Sequence, residues 1–315
     1  MANGMPPMEQ PGFPPQFPPG VAYMDGRYMP ISEAKISVLD WGFLRSDATY
    51  DVVHVWQGRF FRLDLHIERF LRGIEKLRMQ LPFGRQRLEE ILSECVARAG
   101  LEDAYVEMVL TRGRSANFSR DPRDATNTFI AFALPFGWVA DAEQRRRGIE
   151  LHVASVERIR PAAVDPTVKN YHWLDLVAGL FEAYDAGREN VLLVDGAGNV
   201  AEGPGFNLFA LTGVNWITPA SGVLHGITRR TALELLDEMG IKAEAATLSV
   251  AALHGADEAF ITSTAGGIMA VGSIDGRALS RGAPGPVTER LTRLYWEKHK
   301  DPAWTTPVAG IGAKA

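Results

Sequence analysis

Residues 162–176 read AAVDPTVKNYHWLDL, and the lysine in that stretch sets the reading of the whole chain. Lys169 has Val168, Asn170, Tyr171 and Trp173 around it, whereas an exposed lysine ordinarily sits among other charged groups. Removal from water lowers an amine's pKa and leaves it nucleophilic, as Schiff-base chemistry requires. The same neighbours also suit a lysine whose stem merely lies along apolar surface, so the decision falls to the rest of the chain. Lysines are scarce here. Seven of the 33 basic side chains are lysine (35, 76, 169, 242, 298, 300 and 314), so a lysine needed for chemistry has few candidates.

Further along, Glu202 lies in AEGPGFN (201–207), where two glycines and a proline fix a turn just past a strand end. An acid between glycines is able to approach a ligand closely. The run GITRRTALELL (226–236) puts Gly226, Ile227 and Thr228 at a helix N-terminus, where free N–H groups and the helix dipole favour phosphate. TSTAGGI (262–268) is a hydroxyl- and glycine-rich loop after a strand, a second backbone nest. Arg69, in LHIERF, offers a planar guanidinium. Each is alone an ordinary cap, turn or surface arginine. Together, a lysine nucleophile, a separate carboxylate and several phosphate-type sites describe one cofactor, pyridoxal 5′-phosphate (PLP).

Other chemistries lack their motifs. There is no Walker loop, no G-x-S-x-G elbow and no H-E-x-x-H, and the seven histidines show no metal-ligand spacing. The glycine-rich DGAGNVAEG (195–203) follows a strand without opening a helix and reads as a hairpin turn. His54, alternating within a strand, reads as packed or at the surface.

Residues 1–20 hold seven prolines, three glycines and one charged side chain, a flexible arm by composition. Folded patterning begins at Val21, with strands expected over 21–29 and 36–39, and a hairpin over 50–63 turning at Gln57-Gly58. A helix capped by Asp64 and a second over 85–99, stopped by Gly100, precede strands at 104–112 and 127–136 around a polar loop, 113–126. The polar stretch 137–148 reads as a linker. Beyond it come a strand (149–159), a helix (172–186), a meander through 190–218, a helix (227–239), strands at 257–263 and 268–274, and a final helix (286–299). Strands come in antiparallel-looking groups, so the fold class is α+β in two domains, 21–136 and 149–315, rather than a doubly wound parallel sheet.

The chain has 315 residues, enough for two domains, with 46% hydrophobic and 23% charged residues. A net charge of −5 argues against a nucleic-acid or anionic-membrane binder, and Arg145–Arg147 reads as a solvated face. No apolar run is long enough to span a membrane, and no signal-peptide layout opens the chain. Cys95, the single cysteine, excludes an intrachain disulfide and fits the cytoplasm; its amphipathic helix makes it a buried, inert thiol.

The ordered set H-I-E-R (66–69), V-K-N (168–170), A-E-G-P-G-F-N (201–207), G-I-T-R (226–229) and S-T-A-G-G (263–267) resembles the fold-type IV PLP enzymes, the branched-chain and D-amino-acid aminotransferase family, over about residues 21–300. The segments SEAKISVLDWGFLRSDATYDVVHVW (32–56), DPTVKNYHW (165–173) and YVEMVLTRG (105–113) look most like the (R)-selective amine transaminases. The resemblance implies a smaller N-terminal α/β domain, a larger C-terminal β-rich domain with helices, an active site between them and a homodimer. It also implies that Lys169 forms the aldimine with PLP and shuttles the proton, that Glu202 holds the pyridine nitrogen protonated, and that Arg69, Ile227, Thr228 and Thr264 bind the phosphate.

The substrate site carried over by this resemblance is Tyr50, Val52, Tyr105, Glu107 and Trp173. Glu107 would repel a substrate carboxylate, so the expected reaction is transfer from a primary amine to a keto acid such as pyruvate. Arg45 departs from the histidine common in those enzymes and reopens the alternative, a D-amino-acid or branched-chain aminotransferase. For the loop arginine that accepts the keto acid's carboxylate, Arg114, Arg120 and Arg123 compete, with Arg120 preferred.

Overall fold

The computed structural model describes residues 17–310, so most of the expected N-terminal arm lies outside the described residues. The chain opens with β1 (Val21–Met24) and β2 (Arg27–Pro30), then α1 (Trp41–Arg45), β3 (Ala48–Trp56), β4 (Arg59–Phe61), α2 (Leu63–Lys76), α3 (Arg85–Ala99), β5 (Ala104–Ser115) and β6 (Ala125–Pro135). After α4 (Ala142–Arg147) come β7 (Ile149–Glu157), α5 (Leu174–Asp185), β8 (Asn190–Val194), β9 (Asn207–Thr212), β10 (Asn215–Pro219), α6 (Ile227–Glu238), β11 (Ala243–Ala246) and α7 (Val250–His254). The chain finishes with β12 (Glu258–Ser263), β13 (Gly267–Ile274), the short β14 (Arg277–Ala278), α8 (Pro286–Glu297) and β15 (Thr305–Pro307).

Among the described residues these form two sheets, ordered β15-β4-β3-β5-β6-β1-β2 and β11-β10-β9-β12-β13-β7-β8. The first is antiparallel throughout, whereas the second mixes in parallel pairs at β10/β11, β13/β7 and β7/β8. Strand alternation gives each face its partner. Val53 and Val55 of β3 point to α2 and α3, packing with Ile67, Phe70, Leu88 and Leu92, while Tyr50 and Val52 point the other way with Val109. In the second sheet Phe260 of β12 packs under α6 and α8, and its neighbours Ala259 and Ile261 enter a core on the opposite face. Cys95 is fully buried in the first core, and burial pushes its thiol up to about 12, so it is inert.

Local signals and outcome differ in four places. Residues 36–39 form a turn rather than a strand, because Ser37 draws its neighbours into local hydrogen bonds from Leu39 N–H and Asp40 N–H. Asp64 falls inside the first turn of α2, and the cap position is Arg62 in a left-handed conformation. The loop expected at 113–126 is shorter, since β5 runs to Ser115 through a bulge where Gly113 (φ 75°) meets the Thr126 carbonyl, and β6 starts at Ala125. The polar stretch 137–148 holds α4, started by an Asp141–Gln144 capping box.

The two halves are stitched together at their backs. β15 returns from the C-terminal half to pair with β4, covering an edge that would otherwise be open, and Val308 enters the first core. Phe61 of β4 in turn packs into the core under α6 and α8. Beside it, His54 of β3 and His299 meet at 2.7 Å between their Nε2 atoms. His299 Nδ1–H donates to the Tyr295 carbonyl (2.9 Å), so its Nε2 accepts from His54, whose ring also lies beside the Thr264 main chain. No helix of the described residues is long and apolar enough to cross a membrane.

This pair makes stability depend on pH. Burial drives both imidazoles down, His299 to about 4 and His54 well below its ordinary value, where the neighbouring His299 adds to the effect. The unfolded chain therefore binds more protons than the folded one once pH drops below about 6.5. The pair's contribution is complete above that pH and is lost as pH falls toward 4. Urea midpoints measured across this window should fall more steeply in the wild type than in a His54→Phe, His299→Leu double variant.

Candidate active site

A cleft between the two sheets is lined by Tyr50 and Arg69 from the first half and by Lys169, Trp173, Glu202, Asn207, Ile227, Thr228 and Thr264 from the second. Lys169 is held by its main chain. Asp165 closes a turn onto Thr167 N–H (2.9 Å), and the Lys169 carbonyl then accepts from Tyr50 N–H (3.1 Å) and the Thr49 hydroxyl (2.9 Å). Gly73 in α2 makes room for that hydroxyl, since a Cβ there would sit 2.7 Å from Thr49 Oγ1. The lysine's Nζ lies 4.4 Å from the centroid of the Tyr50 ring, which stacks on Tyr171 at 4.3 Å.

Glu202 stands buried in the turn after β8. One carboxylate oxygen accepts from Leu224 N–H (2.8 Å) and the other from Arg158 Nε (3.3 Å). Burial raises its proton affinity, and Arg158 and the Leu224 N–H pull it partly back. Arg158 is anchored in turn on Asp175 (2.6 Å). The cleft is also lined by the first turn of α6, where Gly226 lies so close to Asn207 that a Cβ would approach its Oδ1 to 2.2 Å. Asn207 Nδ2 donates to the Leu224 carbonyl (3.0 Å), so the turn carrying Glu202 and the start of α6 are tied together.

Arg69 is aimed by a buried carboxylate. Asp51, fully buried in β3, accepts from Arg69 Nε (2.7 Å) and Nη2 (2.9 Å) and meets His66 Nδ1 at 2.8 Å. Burial by itself would lift the Asp51 carboxyl, but Arg69 and His66 outweigh it and hold it far below the usual carboxylate range. The remaining guanidinium nitrogen reaches the His225 carbonyl (3.1 Å), just before α6.

Of the residues expected around the substrate, Tyr50 and Trp173 line the cleft, whereas Val52, Tyr105 and Glu107 do not; Glu107 accepts from Tyr105 (3.0 Å) and Tyr171 (2.7 Å), which stacks on Tyr50. Burial raises the Glu107 carboxyl, and the same burial with the adjacent carboxylate lifts both phenols. Val52 lies in the apolar patch beside Tyr50.

Arg45 and Arg120 sit elsewhere. With Arg114 they line a second hollow bounded by Trp41, Phe118 and Phe129, and the Arg45 guanidinium lies 3.6 Å from the Trp41 ring centroid. Arg123 is engaged by Asp121 (Nε to Oδ1, 2.9 Å). Four residues of the site were not singled out from sequence: Asp51, Arg158, Tyr171 and Asn207. Asp51 did leave a signal, as the one charged residue inside the apolar run TYDVVHVW. Arg158 left none, because its partners are 17 and 44 positions away.

The chain matches the amino-transferase class IV family model over residues 48–274, and it belongs to that family. It is 29% identical over 284 residues to a branched-chain-amino-acid aminotransferase of Pseudomonas aeruginosa (88% of this chain, 92% of the relative). It is 30% identical over 270 residues to a D-alanine aminotransferase of Bacillus licheniformis (85% and 93%). In three dimensions it is similar to the holo, PLP-form branched-chain amino acid aminotransferase from Thermobaculum terrenum, with a TM-score of 0.83, 25% identity, and coverage of 93% of this chain and 100% of that one. The protein is therefore a PLP-dependent aminotransferase of fold type IV. The cleft fits that cofactor on its own terms: its lining holds both a buried carboxylate of raised proton affinity, which suits a pyridinium N–H, and a helix N-terminus with a buried arginine, which suits a phosphate.

Cutting one partner out of the Asp51 cluster leaves Arg69 and His66 buried against a neutral group. Asp51→Asn should cost about 3–5 kcal/mol of stability, read as a lower urea midpoint with an unchanged slope.

Proposed function

We propose that this protein is an (R)-selective amine transaminase that moves an amino group from a primary amine to a keto acid such as pyruvate. The charge pattern of the cleft carries this reading. Both of its arginines are committed to carboxylates, Arg69 to Asp51 and Arg158 to Glu202 and Asp175. Glu107, charged or protonated, offers no positive charge on the substrate side. A donor bearing an α-carboxylate would find no free guanidinium there, whereas a simple amine needs none.

In this reading Lys169 Nζ attaches the cofactor, and Glu202 faces its pyridine nitrogen. Arg69, the Ile227 N–H, Thr228 and Thr264 hold its phosphate. Once bound, PLP supplies an electron sink conjugated to the substrate Cα. Lys169 Nζ, freed when the donor amine takes its place, would take the proton from that carbon and return it on the far side of the transferred nitrogen, base first and acid second. The aromatic wall of Tyr50, Tyr105 and Trp173, with Val52, divides the substrate space unequally and selects the hand of the amine.

The working unit is a homodimer, to which the exposed apolar stripe Leu174, Val177 and Phe181 of α5 and the exposed Phe43 and Leu44 beside Arg45 lend support. The hollow of Arg45 and Arg120 then receives the keto acid's carboxylate near the subunit boundary. The lone buried thiol suits a cytoplasmic setting.

Half-reactions followed by the cofactor's visible absorbance test the assignment. With (R)-1-phenylethylamine the band should decay rapidly, and with the (S)-enantiomer, D-alanine, L-alanine or L-leucine much more slowly. If only amino acids discharge the band, the protein is a D-amino-acid or branched-chain aminotransferase, as the names of its relatives suggest, and Arg45 becomes the candidate carboxylate anchor. Lys169→Ala should slow turnover with the preferred donor by at least about a hundredfold, and wild-type turnover in that variant would remove the lysine from the mechanism.

A further inference from the structure

Tyr171 lies two residues beyond Lys169, in the loop before α5. Asn170 between them folds that loop, donating from Nδ2 to the Val168 carbonyl (2.8 Å) and accepting from His172 N–H (3.0 Å). Lys169 and Tyr171 both meet the same ring as a result. Lys169 Nζ lies 4.4 Å from the Tyr50 centroid, and Tyr171 stacks on Tyr50 at 4.3 Å with the two planes 5° apart. Tyr171 is not a core group, being 36% exposed, so apolar burial alone does not fix its ring. Its hydroxyl does. It donates to Glu107 Oε1 (2.7 Å), while Tyr105, on the same strand as Glu107, donates to Oε2 (3.0 Å). With both oxygens engaged and the residue buried, Glu107 is an anchor that does not swing.

Stacked rings attract each other beyond the area they bury, but a stack resists sliding only when its outer ring is itself held. A hydrogen bond to a carboxyl group supplies that hold more firmly than one between neutral groups. We propose that Tyr171 is a specificity-determining positioning residue: tethered to Glu107, it keeps the Tyr50 ring at a fixed tilt beside Lys169, and so keeps the smaller side of the substrate space closed to the wrong enantiomer. The proposal rests on reading Tyr50 as a wall of that space.

The test reads the ratio of turnover between the two hands of one donor, 1-phenylethylamine, in the PLP-loaded enzyme. If only amino acids react, D- and L-alanine take its place, so the reading of the donor can fail while the role of Tyr171 is still decided. Tyr171→Leu removes both ring and hydroxyl and should lower the ratio about tenfold. Tyr171→Phe keeps the stack but frees the ring from Glu107, and should lower the ratio about threefold. A loss of folded protein slows both hands equally and leaves the ratio alone, so instability does not mimic the effect. An unchanged ratio in either variant would overturn the proposal. A Tyr50→Leu control that kept the wild-type ratio would instead overturn the reading of Tyr50 as a wall.

Discussion

The Lys169 carbonyl ties the loop before α5 to β3 across the cleft, accepting from Tyr50 N–H and the Thr49 hydroxyl. Much of the site inherits its geometry from that contact. It sets Lys169 against the Tyr50 ring, and Tyr50 against Tyr171, whose hydroxyl in turn holds Glu107. The same strand carries Asp51 one residue on, pointing to the other face, where it aims Arg69 at the start of α6. A strand's alternation thus delivers an aromatic platform to one side and an arginine anchor to the other from adjacent positions.

Electrostatically, most charges of the cleft are already matched, with a few deliberate openings. Asp51, Arg158 and Asp175 are paired in short contacts, and Arg69, held by Asp51 through Nε and Nη2, turns Nη1 toward the start of α6. Glu202 is different, being buried, raised in proton affinity and only partly compensated by a 3.3 Å contact to Arg158. Its second oxygen is fixed by a main-chain N–H, so the carboxylate keeps its orientation whichever protonation state it holds. Rigid positioning of a group whose charge is meant to respond to a bound partner is the common logic of such sites.

Much of this was legible from the chain alone, wherever the signal was local. Gln57-Gly58 marks a tight turn, Gly100 stops α3 in the left-handed region, and the turn and cap motifs around Glu202 and Thr228 are written in contiguous residues. What escaped was set by contacts distant in sequence. Asp64 has the chemistry of a helix cap, but β4 enters α2 through a left-handed Arg62, whose guanidinium is engaged by Glu234 from the other half (2.8 Å). Residues 36–39 alternate like a strand, yet Ser37 holds them in a local turn and no strand pairs with them. Arg45 and Arg120 are adjacent to site motifs in sequence but face a different hollow, because α1 and the 116–124 loop project from the far end of β5.

The return of β15 to β4 has a consequence for how this protein comes into being. The strand that closes the first sheet, β15 at residues 305–307, is made long after its partner, β4 at residues 59–61. A nascent N-terminal half therefore waits on the ribosome with the β4 edge bare, offering main-chain N–H and carbonyl groups to any neighbouring strand. Pairings so distant along the chain are slow to form, and that interval is when the polypeptide is most exposed to mispairing with its own copies.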